Sequence, residues 1–258
     1  MLKIATWNVN SIRVRLEHVL SWLKNEKPDL LALQETKILD DDFPVEEFTK
    51  LGFSVTYSGQ KTYNGVAFIT RQPVSDPFTD LPHFIDPARR ILGVTYQGIR
   101  FYNLYVPNGE RVDSEKYHYK LHWLQNIKVH LQSELKQYAN CILLGDFNIA
   151  PDHRDVHDPA MWEGRILCSD NERQLLSDIL QSGFVDCFRL HSDEKVFSWW
   201  DYRLNSFKRN LGLRIDHIFA SEALRQKCTQ CFIDKTPRGL ERPSDHAPVV
   251  AEFDILVA

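Results

Sequence analysis

The sequence predicts an α/β chain organised as a four-layer sandwich, in which two mixed β-sheets pack face to face with helices on the outside. Three observations predict it. Short apolar runs alternate with amphipathic helical segments along the whole length. The runs fall into two strand-rich halves of similar size, each with flanking helices. Neither a low-complexity stretch nor a long linker divides the halves, and 258 residues at 43% apolar composition can bury a large core, so residues 1–258 read as one domain.

Residues 2–8 alternate and end polar, and Val14, Leu16, Val19, Leu20 and Leu23 then lay a helical stripe across 13–25. Pro28 breaks that pattern. Residues 29–34 (DLLALQ) follow as a buried strand, so the chain opens with a β-α-β unit. A short helix is predicted over 43–51, then two strand pairs, 53–58 with 65–70 and 90–96 with 100–106, turning at Asn64-Gly65 and Gln97-Gly98. The longest helix is predicted over 114–137, where Leu121, Leu124, Ile127, Leu131 and Leu135 keep helical spacing, and it feeds a strand at 141–144. The second half repeats the alternation: a helix at 171–181, strands at 184–187, 196–199 and 213–220, a short helix, another strand, and a last strand at 247–253.

Residues 142–151, ILLGDFNIAP, are the stretch with the clearest chemistry. Side chains two apart on an extended chain share a side, so Asp146 and Asn148 face one cleft while Phe147 packs inward. Three other polar clusters stand at strand ends: Asn8 with Asn10, Glu35 in LQET, and Asp245-His246 in SDHAP. A further segment, Leu213 to Ile218, alternates as a strand that puts Arg214 and Asp216 on one side. Turn and capping roles explain each cluster singly. Together, carboxylates, carboxamides and one His from several strand ends are the parts that metal-assisted phosphoester cleavage requires. A hard divalent cation prefers oxygen ligands, and the reaction needs a base for water and donors for the charge on the phosphoryl oxygens.

Composition excludes several other classes. The start, MLKIATWNVN, has no charged region leading into an apolar one, and no run approaches bilayer length. The expectation is a soluble, cytoplasmic chain with no membrane contact. Five scattered cysteines make a disulfide framework improbable, and Cys228 and Cys231, the single C-x-x-C, lack the second pair that a structural zinc wants. The net charge of −4 argues only weakly against a polyanion substrate, because site carboxylates that hold a cation leave local patches to decide. One such patch is 199–214, where Arg203, Lys208, Arg209 and Arg214 outnumber Asp201. Within it FSWWDYR carries aromatics that are costly to leave facing water unless a ligand covers them, with a core role equally open for Trp200.

Two groupings read as decoys. His118 and His122 lie four apart, but Tyr119 stands where a zinc protease has Glu. Asp152, His153, Asp155, His157 and Asp158 crowd one segment and read as a solvated loop.

With these residues in hand, the chain resembles the exonuclease III branch of apurinic/apyrimidinic (AP) endonucleases, within the endonuclease/exonuclease/phosphatase superfamily. WNVNSIR, PDLLALQETK, GQKTYNGVAF, YVPNGE, LLGDFNIAP, FSWWDYR, NLGLRID and PSDHAPV occur in the family's order over essentially the whole length. The resemblance implies a four-layer sandwich forming a single catalytic domain, and a DNA repair nuclease that cuts 5′ to abasic sites, with 3′ to 5′ exonuclease and 3′-phosphatase action on double-stranded DNA. It implies Mg²⁺, with Mn²⁺ as a substitute, held by Glu35 and Asp245 with Asn8 or Asn10, and a second position at Asp146, Asn148 and His246. Asn10 stands where some relatives have Asp, which leaves a single cation less compensated.

The resemblance also implies that Asp146 either deprotonates the attacking water or protonates the leaving oxygen. Asn148 and Tyr105 would donate to the phosphate, and His246 would contact a phosphoryl oxygen with Asp216 behind it. Trp199, Leu213 and Ile215 would line a slot for a sugar lacking its base. Asn108 would meet the target phosphate, Arg111 and Arg203 would probe the helix, and Lys37, Tyr63, Asn64, Arg89 and Arg90 would touch the DNA backbone. No obligate protein partner and a monomer are the further expectations. The rival within the superfamily, an inositol-phosphate or sphingomyelin hydrolase, should lack the FSWWDYR and NLGLRID segments; a catalytically silent DNA-binding module should lack the acids and the His.

Overall fold

A computed structural model describes residues 1–256. The first half contains β1 (Leu2–Asn8), α1 (Ile12–Glu26), β2 (Leu30–Gln34), α2 (Val45–Thr49), β3 (Ser54–Ser58), β4 (Val66–Thr70), β5 (Ser75–Phe78), β6 (Ile91–Tyr96) and β7 (Ile99–Tyr105). The second contains α3 (Glu115–Gln137), β8 (Cys141–Asp146), α4 (Pro159–Trp162), α5 (Asp170–Gln181), β9 (Phe184–Asp186), β10 (Asp216–Ser221), β11 (Cys228–Ile233) and β12 (Val249–Phe253). Two six-stranded sheets result, ordered β11-β12-β1-β2-β4-β3 and β5-β6-β7-β8-β10-β9. Each is mixed. Parallel pairs β1/β2 and β7/β8 lie at their centres, joined by α1 and α3, and the remaining pairs are antiparallel. Among the described residues no helix is long and apolar enough to cross a membrane.

Three apolar layers explain the near-continuous hydrophobic runs of the central strands. Leu30 and Ala32 of β2, with Ile142 and Leu144 of β8, pack between the sheets, whereas Leu31 and Leu33 pack outward against α1 residues Val19, Leu20 and Leu23. Cys141 and Leu143 likewise face Leu124, Ile127 and Leu131 of α3. A strand covered on both faces has no polar side to show. The expected four layers are the observed ones.

A buried polar bridge crosses the inner layer near one end. Gln34 Nε2 donates to Asn103 Oδ1 at 2.8 Å and to Thr6 Oγ1 at 2.9 Å, and Asn103 Nδ2 donates to the carbonyls of Leu33 and Ala67. An unpaired amide in that position would be costly, so the bridge fixes the two sheets relative to one another beside Glu35 and Tyr105. Gly145 is required by close approach: at φ 147°, a Cβ there would sit 1.9 Å from the Leu104 carbonyl oxygen. That contact lets β8 run tight against β7 as it delivers Asp146.

Several sequence expectations need correction. Residues 196–199 form no strand; Trp199 makes only isolated bridges to Leu213 and His246. The strand predicted over 213–220 begins at Asp216. Alternation therefore fails across 214–216, and Arg214 does not share a face of work with Asp216. Arg214 is buried, its guanidinium bonded to Asp155, Asp186 and His217, so it is absent from any DNA-facing patch. Asp155 is likewise no part of a solvated loop. It is fully buried and pairs with Arg214 and Arg189. The edge strand β5 was not legible, because its exposed residues and Pro77 give no apolar alternation.

Candidate active site

Strand ends from both sheets meet at one end of the sandwich. β1 and β2 finish at Asn8 and Gln34, and β7 and β8 finish at Tyr105 and Asp146, which are register partners. Antiparallel β10 begins at Asp216, opposite Asp146, and Asp245 and His246 lie just before β12. A cavity of about 350 Å³ opens there, lined by Glu35, Tyr105, Asn108, Asp146, Asn148, Trp199, Ile215, Asp245 and His246, with Ile166 and Leu167 on one wall.

Direct bonds tie the groups together across the chain. Asn8 Nδ2 donates to Glu35 Oε1 and to Asp146 Oδ2, each at 2.9 Å. The Tyr105 phenol donates to Glu35 Oε1 at 2.8 Å, and the backbone N–H of Asn148 donates to Asp146 Oδ1 at 2.9 Å. Asn108 Nδ2 donates to Asn148 Oδ1 at 3.1 Å. His246 Nδ1 donates to Asp216 at 2.9 Å, and its Nε2 lies 3.8 Å from Asp146 Oδ2. Glu35 and Asn148 both hold positive φ, 51° and 49°, a left-handed backbone that turns the chain sharply after a strand and is costly for Glu.

The loop carrying Asp245 and His246 is anchored on both sides. Ser244 Oγ donates to the Asn8 carbonyl, Trp7 Nε1 donates to the His246 carbonyl, and Trp199 Nε1 donates to Asp245 Oδ2 at 3.0 Å. Trp199 thus walls the cavity while Trp200 behind it is wholly buried.

Burial and neighbouring charge set the protonation states. Burial pushes the Asp146 carboxyl up; His246 opposes and Asp216 adds to the push, leaving it at about 7. Burial disfavours charge on His246, yet the carboxylates of Asp216 and Asp146 prevail and raise it to about 10. Glu35 is pushed up by burial but held below its ordinary value by the Lys37 ammonium and the Asn8 amide. Asp245 is treated alike by burial and by His246, and also ends low.

The remaining expected site residues divide into near and far. Lys37 turns inward: its Nζ is 2.7 Å from Glu35 Oε2 and 2.7 Å from Asn10 Oδ1. Asn10 Nδ2 donates to Asp245 at 3.0 Å, so both ends of this amide are engaged and it positions an acid instead of presenting a free oxygen. Leu213 is fully buried behind Trp199 and Ile215, its backbone paired with Trp199, so it supports the slot without lining it. Arg203 pairs with Asp201 at the mouth. Tyr63, Asn64 and Arg90 line an adjoining cavity of about 670 Å³ beside Tyr105 and Asn108, with the Arg90 guanidinium 4.8 Å over the Tyr105 ring. Arg89 lies next in sequence, near Asp80, and Arg111 is exposed outside both cavities.

Sequence reasoning missed Lys120 and Glu172. Both side chains are fully buried beneath Asn148, and the S-x-x-E signal at Ser169 that marks a capping box was the available clue.

The carboxylate oxygens of Glu35 and Asp245, which line the cavity, suit a hard divalent cation, and Asp146, Asp216 and His246 bring one ligand atom each within 4.8 Å, a spacing that could also hold a metal ion. Comparison with known proteins agrees with this geometry. The profile of the Endonuclease/Exonuclease/phosphatase family matches residues 5–246. The chain belongs to this family. Exodeoxyribonuclease III of Haemophilus influenzae is 33% identical over 98% of the chain and 100% of its own length. A family structure, the Neisseria 3′ phosphatase NExo bound to a product DNA hairpin, superposes with a TM-score of 0.97 at 44% identity, covering 99% of this chain and 100% of that one. An AP endonuclease from Archaeoglobus fulgidus gives 0.94 at 40% identity, covering 99% and 100%.

Proposed function

We propose that this family member is a divalent-metal-dependent DNA repair nuclease, a phosphodiester hydrolase that cuts 5′ to abasic sites and also removes 3′-phosphoryl groups and 3′-terminal nucleotides from double-stranded DNA. One observation carries the reading: Asn8, Glu35, Asp146, Asn148, Asp216 and His246, separated by up to 238 positions in sequence (246 minus 8), are tied by short polar contacts beside one cavity that Asp245 also lines. Relatives named as exodeoxyribonuclease III, 3′ phosphatase and AP endonuclease support the same substrate.

Glu35, assisted by Asn8 and Asp245, would hold the cation, for which Mg²⁺ is the proposed ion and Mn²⁺ its substitute. Bound there it would supply Lewis-acid charge to a phosphoryl oxygen. At the second position expected at Asp146, Asn148 and His246, the imidazole would serve as a ligand only in its neutral form.

The chain's own groups account for the remaining chemistry. Asp146 accepts the proton of the attacking water; a carboxyl near 7 is matched to that work at neutral pH. His246, charged and held by Asp216, presents Nε2–H toward a phosphoryl oxygen. The Asn148 amide and the Tyr105 phenol donate to the same developing charge, in a cavity walled by Trp199, Ile215 and Leu167. Basic and aromatic groups beside the cavity, Arg90, Tyr63 and Arg203, favour a phosphate backbone without sequence choice.

The test is hydrolysis of three duplexes of one sequence, carrying an abasic analogue, a 3′-phosphate or an intact 3′ end, with Mg²⁺ and then with chelator. Release of 3′-phosphate and incision 5′ to the abasic analogue, both lost in chelator, are expected. No cleavage of any duplex with Mg²⁺ would overturn the assignment.

A further inference from the structure

A lysine is buried without any exposure directly beneath the candidate active site. Lys120, on α3, sends its Nζ to three acceptors: the Asn148 carbonyl at 2.7 Å, the Asn108 carbonyl at 3.1 Å, and Glu172 Oε1 at 2.5 Å. An ammonium has three N–H groups and no acceptor, so this set saturates it. Glu172, on α5, is equally committed. Its Oε1 also accepts the Leu167 N–H, and its Oε2 accepts both the N–H and the hydroxyl of Ser169.

The bonds reach three loops and no distant part of the fold. Asn108, Asn148 and Leu167 all line the catalytic cavity, and they arrive from the loops after β7, after β8 and before α5. Asn148 is the member that needs holding. It sits in left-handed backbone, with one amide N–H taken by the Val106 carbonyl at 3.0 Å, the same nitrogen a longer 3.4 Å from Asp146 Oδ2, and the amide oxygen accepting from Asn108. The two carbonyls that follow are held as well, by the buried His217, whose Nε2 donates to Ile149 at 2.9 Å, and by the half-buried Arg173, whose Nε donates to Ala150 at 3.0 Å. Holding a backbone carbonyl fixes the peptide plane, and that fixes where the side chain leaves the chain. A buried charge is an expensive means of joining helices, since apolar side chains of similar volume do that as well. Its distinctive product here is orientation.

We propose that Lys120, clamped by Glu172, is a positioning residue that sets the Asn148 and Asn108 amides for the phosphoryl group in the transition state. It touches no substrate. The proposal rests on the phosphoester-hydrolase reading of the site, and wild-type turnover serves as the separate check on that reading.

The experiment is a double-mutant cycle. Lys120→Met is combined with Glu172→Gln, so that no orphaned charge is left inside, and the pair is placed in the wild-type and Asn148→Ala backgrounds. Steady-state hydrolysis of a 3′-phosphorylated duplex, DNA affinity and thermal melting are measured for each. In the wild-type background kcat is expected to fall about 30-fold or more with KM and DNA affinity within about threefold, and in Asn148→Ala the same pair should cost little further, because coupled residues are not additive. Should the Met/Gln chain fail to fold, Lys120→Arg keeps the charge but replaces three freely directed donors with a planar fork, and its loss of kcat should likewise vanish in Asn148→Ala. Unchanged kcat in a folded variant, or an equal loss in both backgrounds, overturns the proposal. A wild-type chain that hydrolyses no phosphoester at all would overturn the functional reading instead.

Discussion

His246 Nδ1 lies 2.9 Å from Asp216 Oδ2, and both side chains are almost wholly buried. The carboxylate fixes which ring nitrogen faces the cavity and favours the charged imidazole. An Asp216→Asn chain keeps the shape and loses both effects. Turnover on an abasic duplex should drop by about 10²-fold, the order expected for a lost proton-bearing group, with DNA affinity within about threefold. Near-normal turnover at neutral pH would remove Asp216 from the mechanism.

The same pair sets a pH dependence of stability. His246 titrates near 10 in the folded chain, above the ordinary value of 6.5, so its contribution is fully present below about pH 6.5 and is lost as pH rises through 10. Melting in chelator should therefore show a fall between pH 7 and 10 that His246→Gln flattens. Parallel curves for the two chains would contradict the linkage.

Asp146→Ala should abolish hydrolysis while leaving DNA affinity within a few fold, because its proposed work on the attacking water is done in the transition state. Fluorescence anisotropy with a labelled abasic duplex separates the two quantities. A large loss of affinity would make Asp146 a binding group.

Lys37 would compete with a cation for Glu35 in the proposed site, its Nζ standing 2.7 Å from Oε2. Lys37→Met should tighten Mn²⁺ binding by about fivefold, the order of one partly exposed ion pair released, as read by calorimetry or electron spin resonance. Weaker Mn²⁺ binding would show that Lys37 supports the metal site.

Arg214→Met should leave the Asp186 carboxylate without its guanidinium partner and Asp155 with Arg189 as its remaining one, and destabilise the fold by about 3–5 kcal/mol, measured by denaturant unfolding. DNA affinity of the folded fraction should not change. A selective loss of affinity would restore Arg214 to the DNA-facing patch that its sequence neighbourhood suggests.

These cases locate what could be read from the chain. Periodicity gave β1, β2, α3 and β8 because each is a long or doubly buried element whose pattern is local. It misplaced 196–199 and 213–215, where aromatic and branched residues mimic a strand but the backbone is held by single bridges and by the Arg214 N–H bonding to the Asp155 carbonyl. Of the site, Glu35, Asp146, Asn148, Asp216, Asp245 and His246 were legible as acids and amides beside strand ends. Lys120 and Glu172 were not, since a Lys on an amphipathic helix ordinarily faces water.

By itself the sequence determined most of the helices and central strands, the sandwich layering and the set of polar groups at the strand ends, all of which follow from patterns a few residues long. Tertiary structure alone decided which charges go inside and what each one holds. Arg214 meets Asp155 across 59 positions and Lys120 meets Glu172 across 52, and at such separations only packing of the two sheets and their helices selects the partner. The desolvation of a charge depends on that packing, and so do the protonation states on which the chemistry runs.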